Sequence, residues 1–163
     1  MNRTIVPWLA TAALLVVLSA QPAAARDVPV GGMTAQDVAQ WLQGAGYSAT
    51  IKPDPTTPGD QIISSSINGV NYDVYMYQCT SGRCRSLQYA AGWPAGSLQN
   101  ISAKVLQWDR EKRYVRAYVS ANGQNYWGEM DIDIYPGGTY EALDRSLSRW
   151  GAVIADFKTY MGQ

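Results

Sequence analysis

Histidine is absent from all 163 residues, and that one absence removes much of enzyme chemistry. No imidazole is available to activate a nucleophile, to act as a general base, or to ligate zinc or haem. Only two cysteines occur, too few for one chain to build a four-thiolate metal site. Charge of either sign is scarce: Lys and Arg total 13, Asp and Glu total 13, and charged residues make up 16% of the chain. Without a basic excess, a nucleic-acid partner is not expected. No Gly-x-Ser-x-Gly elbow and no phosphate-cradling glycine loop occurs, and Ser64-Ser65-Ser66 has no histidine to serve it. What the chain does hold is 47% apolar residues, with six Trp and eleven Tyr. That length and composition fit one domain with a substantial core.

The first 25 residues read as an export signal. Arg3 supplies a short positive start, Trp8 to Leu18 is apolar apart from Thr11, and Ala23-Ala24-Ala25 offers the small-x-small pattern that signal peptidase accepts. The eleven-residue apolar run falls short of the roughly 20 residues that span a bilayer. The expectation is cleavage before Arg26, a single domain over residues 26–163, periplasmic or secreted, and no stable membrane insertion afterwards. Loss of Arg3 leaves 12 basic against 13 acidic side chains. An oxidising compartment then governs how the cysteines are read.

Thr34 is placed as a helix N-cap, with Asp37 closing a capping box and Met33 and Val38 at the positions of a hydrophobic staple. Val38, Trp41, Leu42 and Ala45 form the buried stripe, and Gly46 ends the helix in the left-handed position. A short strand over 48–52 precedes a proline-rich loop at 53–60. Asn68-Gly69 is a strong hairpin signal, pairing Ile67 with Val70, Ser65 with Tyr72 and Ile63 with Val74. A second turn at Ser81-Gly82 pairs Met76 with Leu87 and Val74 with Tyr89. It also sets Cys79 opposite Cys84 at a non-hydrogen-bonded pair, where Cα atoms lie about 4.5 Å apart and a disulfide can form.

Ser97 is expected to cap a helix from Leu98 to about Asp109, with Ile101, Val105 and Trp108 inward. A last hairpin turns at Asn122-Gly123. Its register faces Lys112 with Asp133, Tyr114 with Asp131, Arg116 with Glu129 and Tyr118 with Trp127, while Val115, Val119, Tyr126 and Met130 take the apolar face. Thr139 caps a final helix whose stripe is Leu143, Leu147, Trp150, Ile154, Phe157 and Met161. The fold class is α+β, a two-layer antiparallel sheet with packed helices in the order α-β-β-β-β-α-β-β-α.

Few residues point to chemistry. The four-residue spacing of Cys79 and Cys84 at a hairpin tip favours a structural disulfide over a redox dithiol, which needs a helix N-terminus to stabilise its thiolate. Glu129, Asp131 and Asp133 line one strand face, but the basic residues opposite explain the row by ion pairing, and no metal or other cofactor is expected. Arg110, Lys112, Arg113 and Arg116 are diluted by neighbouring acids. Tyr75, Tyr77, Tyr114, Tyr118 and Trp127, with Arg116 among them, fall on the faces assigned outward. Such a grouping suits a partner surface, and scattered cross-strand aromatic pairs would look the same.

The run Trp108-Asp109-Arg110-Glu111-Lys112-Arg113-Tyr114-Val115-Arg116-Ala117-Tyr118 resembles the signature of the YbjN-like family, bacterial sensory-transduction regulators. The acidic strand Glu129-Met130-Asp131-Ile132-Asp133 and the helix start at Gly137, Gly138 and Thr139 complete the likeness, which spans roughly Thr34 to Met161. Asp109 stands where the family usually has Asn. The export signal and the disulfide also set this chain apart from cytoplasmic relatives. The resemblance implies a fold similar to type III secretion chaperones and no catalytic site. The expected function is an exported, non-enzymatic binding or regulatory module that engages an envelope protein or peptide through an aromatic sheet face. Two alternatives stand: an enzyme working through Asp131 and Asp133 with Arg116, and a structural homodimer joined through the last helix.

Overall fold

The computed structural model describes residues 25–163, so the export signal expected at 1–25 lies outside the described residues except for Ala25. Helix α1 (Ala35–Gly44) is followed by β1 (Thr50–Pro53), β2 (Gln61–Ile67), β3 (Val70–Tyr77) and β4 (Ser86–Pro94). Then come α2 (Ile101–Glu111), β5 (Arg116–Val119), β6 (Asn125–Asp133) and α3 (Tyr140–Met161). The strands form one antiparallel six-stranded sheet in the order β1-β2-β3-β4-β6-β5. This is the expected α+β class with its elements in the expected sequence.

The signals at the helix starts act through hydrogen bonds. Thr34 Oγ1 accepts from Asp37 N–H at 3.1 Å while Asp37 Oδ2 accepts from Thr34 N–H at 3.0 Å, a closed capping box over fully buried Met33 and Val38. Burial works against the Asp37 carboxylate, but its Thr34 bonds and the Arg83 guanidinium at 3.2 Å hold it below its ordinary pKa. Thr139 Oγ1 caps α3 by accepting from Ala142 N–H. Every residue of the expected α3 stripe is buried.

Both early hairpins take the register read from the sequence. Asn68 and Gly69 have φ of 50° and 75°, the left-handed pair that a type I′ turn requires. Cys79 and Cys84 form a disulfide, with Cα atoms 3.9 Å apart. Thr80 and Arg83 exchange backbone bonds beside them, so the bridge spans a non-hydrogen-bonded pair.

Several expectations are corrected. Ala45 is exposed, because Tyr47 N–H folds back to the Leu42 carbonyl at 2.9 Å around left-handed Gly46 and leaves Ala45 outside. The first strand is Thr50–Pro53, displaced from 48–52. Ser97 caps nothing: Leu98 N–H closes a turn onto the Ala95 carbonyl, and α2 begins later, after Asn100 in the left-handed region. Around Asn122-Gly123 the hairpin keeps its register but uses a wider loop, with Ser120 N–H donating to the Asn125 carbonyl. β5 starts only at Arg116, since Tyr114 has φ 78° and turns the chain out of the ladder. The expected pairs Lys112 with Asp133 and Tyr114 with Asp131 therefore do not form. Ser86 takes Asp133 and Gln88 takes Asp131 instead, through a β4–β6 ladder running to Pro94 and Asn125.

The core lies on one side of the sheet. Trp150 sits against Tyr72 and Tyr89, with ring centroids 5.8 and 5.6 Å away, and Phe157 meets Trp93, Tyr126 and Trp108 within 5.9 Å. These contacts carry α3 across the inner face, joined by α2 through Trp108 and by α1 through Trp41, whose Nε1–H donates to Asp144 at 2.8 Å. The end of α2 also closes the free side of β5. Trp108 Nε1–H donates to the Val115 carbonyl at 3.2 Å, and Ala117 N–H donates to Asp109 Oδ1 at 2.8 Å. Asp109 therefore makes a bond that an Asn carbonyl oxygen would make equally well.

Candidate functional site

With all three helices on one face, the alternation of the strands leaves the other face to residues of opposite parity. Three cross-strand rows build it. One runs Tyr75, Gln88, Asp131; the next Ser64, Asp73, Ala90, Glu129, Arg116; the third is in two pieces, Ser66 with Asn71 and Gly92 with Trp127 and Tyr118. Small residues occupy the middle of the second and third rows, and the surface sinks there into an open groove of about 690 Å³. Trp127 walls one side, and Lys52, Pro53 and Pro55 wall the other. Gly92 is what lets the indole lie down across β4, since a Cβ there would fall 2.5 Å from Trp127 Cε3. The groove floor is polar, and Ser64 Oγ donates to Asp73 Oδ1 at 2.5 Å.

Beside the groove lies a carboxylate that is hard to reach from solvent. Glu129 is 8% exposed although it belongs to the outer row. Burying a charge is costly unless it is paired and hydrogen-bonded. Arg116 Nη2 donates to Glu129 Oε2, Tyr118 hydroxyl donates to Oε1 at 2.7 Å, and Gln88 Nε2 approaches Oε2 at 3.4 Å. The same Gln88 amide donates to Asp131 Oδ1 at 2.8 Å, and its carbonyl accepts from the Tyr77 hydroxyl at 3.3 Å. One hydrogen-bonded network thus crosses β3, β4, β6 and β5. The phenols respond to it: burial, followed by the Glu129 charge among their neighbours, raises the pKa of Tyr77 and of Tyr118. Tyr75 is raised by burial first and by the charge of Asp73 next. All three remain neutral donors at physiological pH.

The guanidinium end of the network is open to water, with the Arg116 side chain 66% exposed. Solvent screens such a pair, so Arg116→Ala should cost about 1 kcal/mol of stability. A urea melt reads that loss directly. The Glu129→Gln variant keeps the shape and most of the hydrogen bonds, and should cost less than the Arg116 truncation.

The sequence-derived surface is gathered in part. Tyr75, Tyr77, Arg116, Tyr118 and Trp127 share the outer face, half-buried or exposed. Tyr114 does not join them. It is 51% exposed, and its ring lies 4.4 Å from the Arg149 guanidinium of α3, in the helical layer. Asp131 and Asp133 are exposed, and Arg116 is engaged by Glu129 instead of by either of them. Sequence reasoning missed the groove itself, with Asp73, Asn71 and Gly92. The signal was present as small residues at outward positions of β4, but only the β4–β6 pairing makes it legible.

Comparison with known proteins completes the picture. The family model YbjN, described as "Putative bacterial sensory transduction regulator", matches residues 34–163. Among solved structures, the fold is similar to that of YbjN, described as "a putative transcription regulator from E. coli". That match has a TM-score of 0.55 and 14% sequence identity, and it covers 72% of this chain and 82% of that one. No curated protein matches the chain by sequence.

Proposed function

Because the chain belongs to the YbjN family, we propose that it is a non-enzymatic regulatory module that engages an envelope protein or peptide through the outer face of its sheet. The observation that carries this reading is the pairing of an open groove with an aromatic wall on a face that bears none of the described helices. Trp127, Tyr118, Tyr75 and Tyr77 offer large, rigid contact area at low entropic cost. The groove floor and the Gln88 network offer donors and acceptors already held in place. Asp73, Asp131 and Asp133 tip the face toward negative charge, so a segment with an apolar anchor and a basic flank is the complementary partner.

The homodimer reading draws on apolar surface of α3 beyond the stripe that packs into the chain's own core, and the mass in solution tests it. The enzyme reading draws on Asp131 and Asp133 with Arg116, and here Arg116 is bonded to Glu129 while Asp131 accepts from Gln88. Among the described residues, no helix is long and apolar enough to cross a membrane.

The test is cross-linking in envelope extract with the exported chain as bait, beside Trp127→Ser and Tyr77→Ser variants whose circular dichroism matches wild type. One discrete protein captured by wild type, and reduced at least tenfold with Trp127→Ser, is the expected result. Equal capture by all three proteins, or none by any, would remove the outer face as the partner surface.

A further inference from the structure

Residues 26–28 run antiparallel to 138–140 at the start of α3. Asp27 bridges Thr139, Val28 N–H donates to the Gly138 carbonyl at 3.0 Å, and Tyr140 N–H donates to the Arg26 carbonyl at 2.8 Å. The Arg26 guanidinium is parked 3.7 Å from the centre of the Tyr140 ring. The first donor of this ladder is the Arg26 backbone nitrogen, and it points at a carboxylate. It lies 3.1 Å from Glu141 Oε1 and 3.1 Å from Oε2. An amide supplies one hydrogen to those two oxygens. An α-ammonium supplies three, with a full positive charge, and charge-assisted bonds are roughly twice as strong.

The sequence singles out the same atom by an unrelated route. Ala23-Ala24-Ala25 places a signal-peptidase cut before Arg26, which would turn this nitrogen into the chain's N-terminus. We propose that the chain is hydrolysed between Ala25 and Arg26, and that Glu141 is the site built to receive the α-ammonium so created. The step consumes one water. The Ala25–Arg26 C–N bond breaks, the water oxygen ends in the Ala25 carboxylate, and the Arg26 nitrogen carries away the protons as an ammonium. This inference is independent of any role for the outer sheet face.

The surroundings favour the charged amine. Glu141 sits in the first turn of α3, where the helix dipole stabilises a carboxylate. Its carboxyl is held below the ordinary value, first by the Arg26 backbone hydrogen bond. Asp27 adjoins the site along the chain. Asp37 of α1 and Asp144 of α3 share with Arg26 a pocket of about 390 Å³. Against these stand the positive end of the α3 dipole, which opposes a cation as it favours the carboxylate, the Arg26 guanidinium, turned onto Tyr140, and Arg83, already bonded to Asp37.

The full-length chain, exported in a bacterial host, should yield an intact mass that begins at Arg26. NMR titration of that product, uniformly ¹³C,¹⁵N-labelled and followed at the Arg26 Cα, should then show an unmodified α-amino group raised by about one unit above the ordinary 7.7–8.0. Glu141→Gln should return it to the ordinary value, and Glu141→Asp should retain part of the rise. A raised amine pKa contributes stability that is complete below the unfolded value and is lost as pH rises through the folded one. Wild type should therefore lose more of its Tm than Glu141→Gln between about pH 8 and pH 9. A mass beginning at another residue overturns the proposal, as does an α-amino group titrating identically in wild type and Glu141→Gln.

Discussion

Trp108→Ala is expected to lower the unfolding free energy by about 3–5 kcal/mol, within the range for an aromatic truncated in a packed core. The indole is 1% exposed, and its ring centroid lies 4.9 Å from Phe157 and 5.5 Å from Tyr160. It is the main anchor of α2 against α3. Truncation removes that packing and also leaves the Val115 carbonyl without the Nε1–H donor it now has. The two losses separate experimentally. Trp108→Phe keeps most of the apolar contact and loses only the donor, so it should cost about 1 kcal/mol plus a small packing term. Chemical denaturation of the three proteins decides it. A Trp108→Ala loss below 1 kcal/mol would mean that α2 is docked by something other than this side chain.

Gly32→Ala should rank beside it, at about 3 kcal/mol or more, by a different mechanism. Gly32 has φ 105°, a conformation open to glycine and strained for alanine. A Cβ there would lie 2.0 Å from the Cys84 carbonyl oxygen and 2.6 Å from its carbon. Those atoms are backbone, and they are locked: Met33 and Cys84 exchange N–H···O bonds at 3.0 and 2.8 Å, and Cys84 is tied to Cys79. Arg83 adds a bond from Nη1 to the Gly32 carbonyl at 2.9 Å. The methyl has no flexible neighbour to displace, so either the bridge to Met33 or the start of α1 must open. Hydrogen exchange at the Met33 and Cys84 amides should accelerate together in Gly32→Ala. Stability within 1 kcal/mol of wild type would contradict this geometry.

Local chemistry was legible where a signal is complete within a few residues. Thr34 with Asp37, Asn68 with Gly69, and the α3 stripe each state their structure in adjacent positions, and each forms as read. Ala45 and the Asn122-Gly123 turn miss for local reasons, whereas the larger failures depend on partners distant in the chain. Ser97 has the chemistry of a cap, but the route from Pro94 into α2 is set by where β4 ends. Tyr114 follows the strand alternation on paper, yet the chain must cross from the helical layer to the sheet there, and it does so through a left-handed residue. The acidic row of β6 suggested β5 as its partner throughout. Only Glu129 finds one there, because β5 begins at Arg116 and the chain before it has left the ladder, out of reach of Asp131 and Asp133.

The candidate site was half legible for the same reason. Parity along single strands places Tyr75, Tyr77, Tyr118 and Trp127 on one face, and no knowledge of sheet order is needed for that. Depth is another matter. The groove exists because Ala90 and Gly92 of β4 lie between Asp73 and Asn71 on one side and Glu129 and Trp127 on the other. The β4–β6 half of that arrangement joins residues 35 to 39 positions apart. Gly92 in particular reads from the sequence as a weak point in a strand, whereas its missing side chain is the space in which the Trp127 ring rests.

The closure of β5 by the end of α2 bears on how copies of this protein meet one another. Fibrous growth by strand addition needs two open edges per molecule, so that each newcomer offers a fresh one. Here Trp108 and Asp109 occupy the outward carbonyl of Val115 and the outward N–H of Ala117, so that β5 offers a new strand little beyond the stretch to Val119. The opposite edge, β1, is four residues long and ends in Lys52 and the donorless Pro53. A sheet so blunted on one side hands growth on poorly: two molecules joined through β1 would present only β5 edges, where Trp108 and Asp109 stand in the way of a further strand.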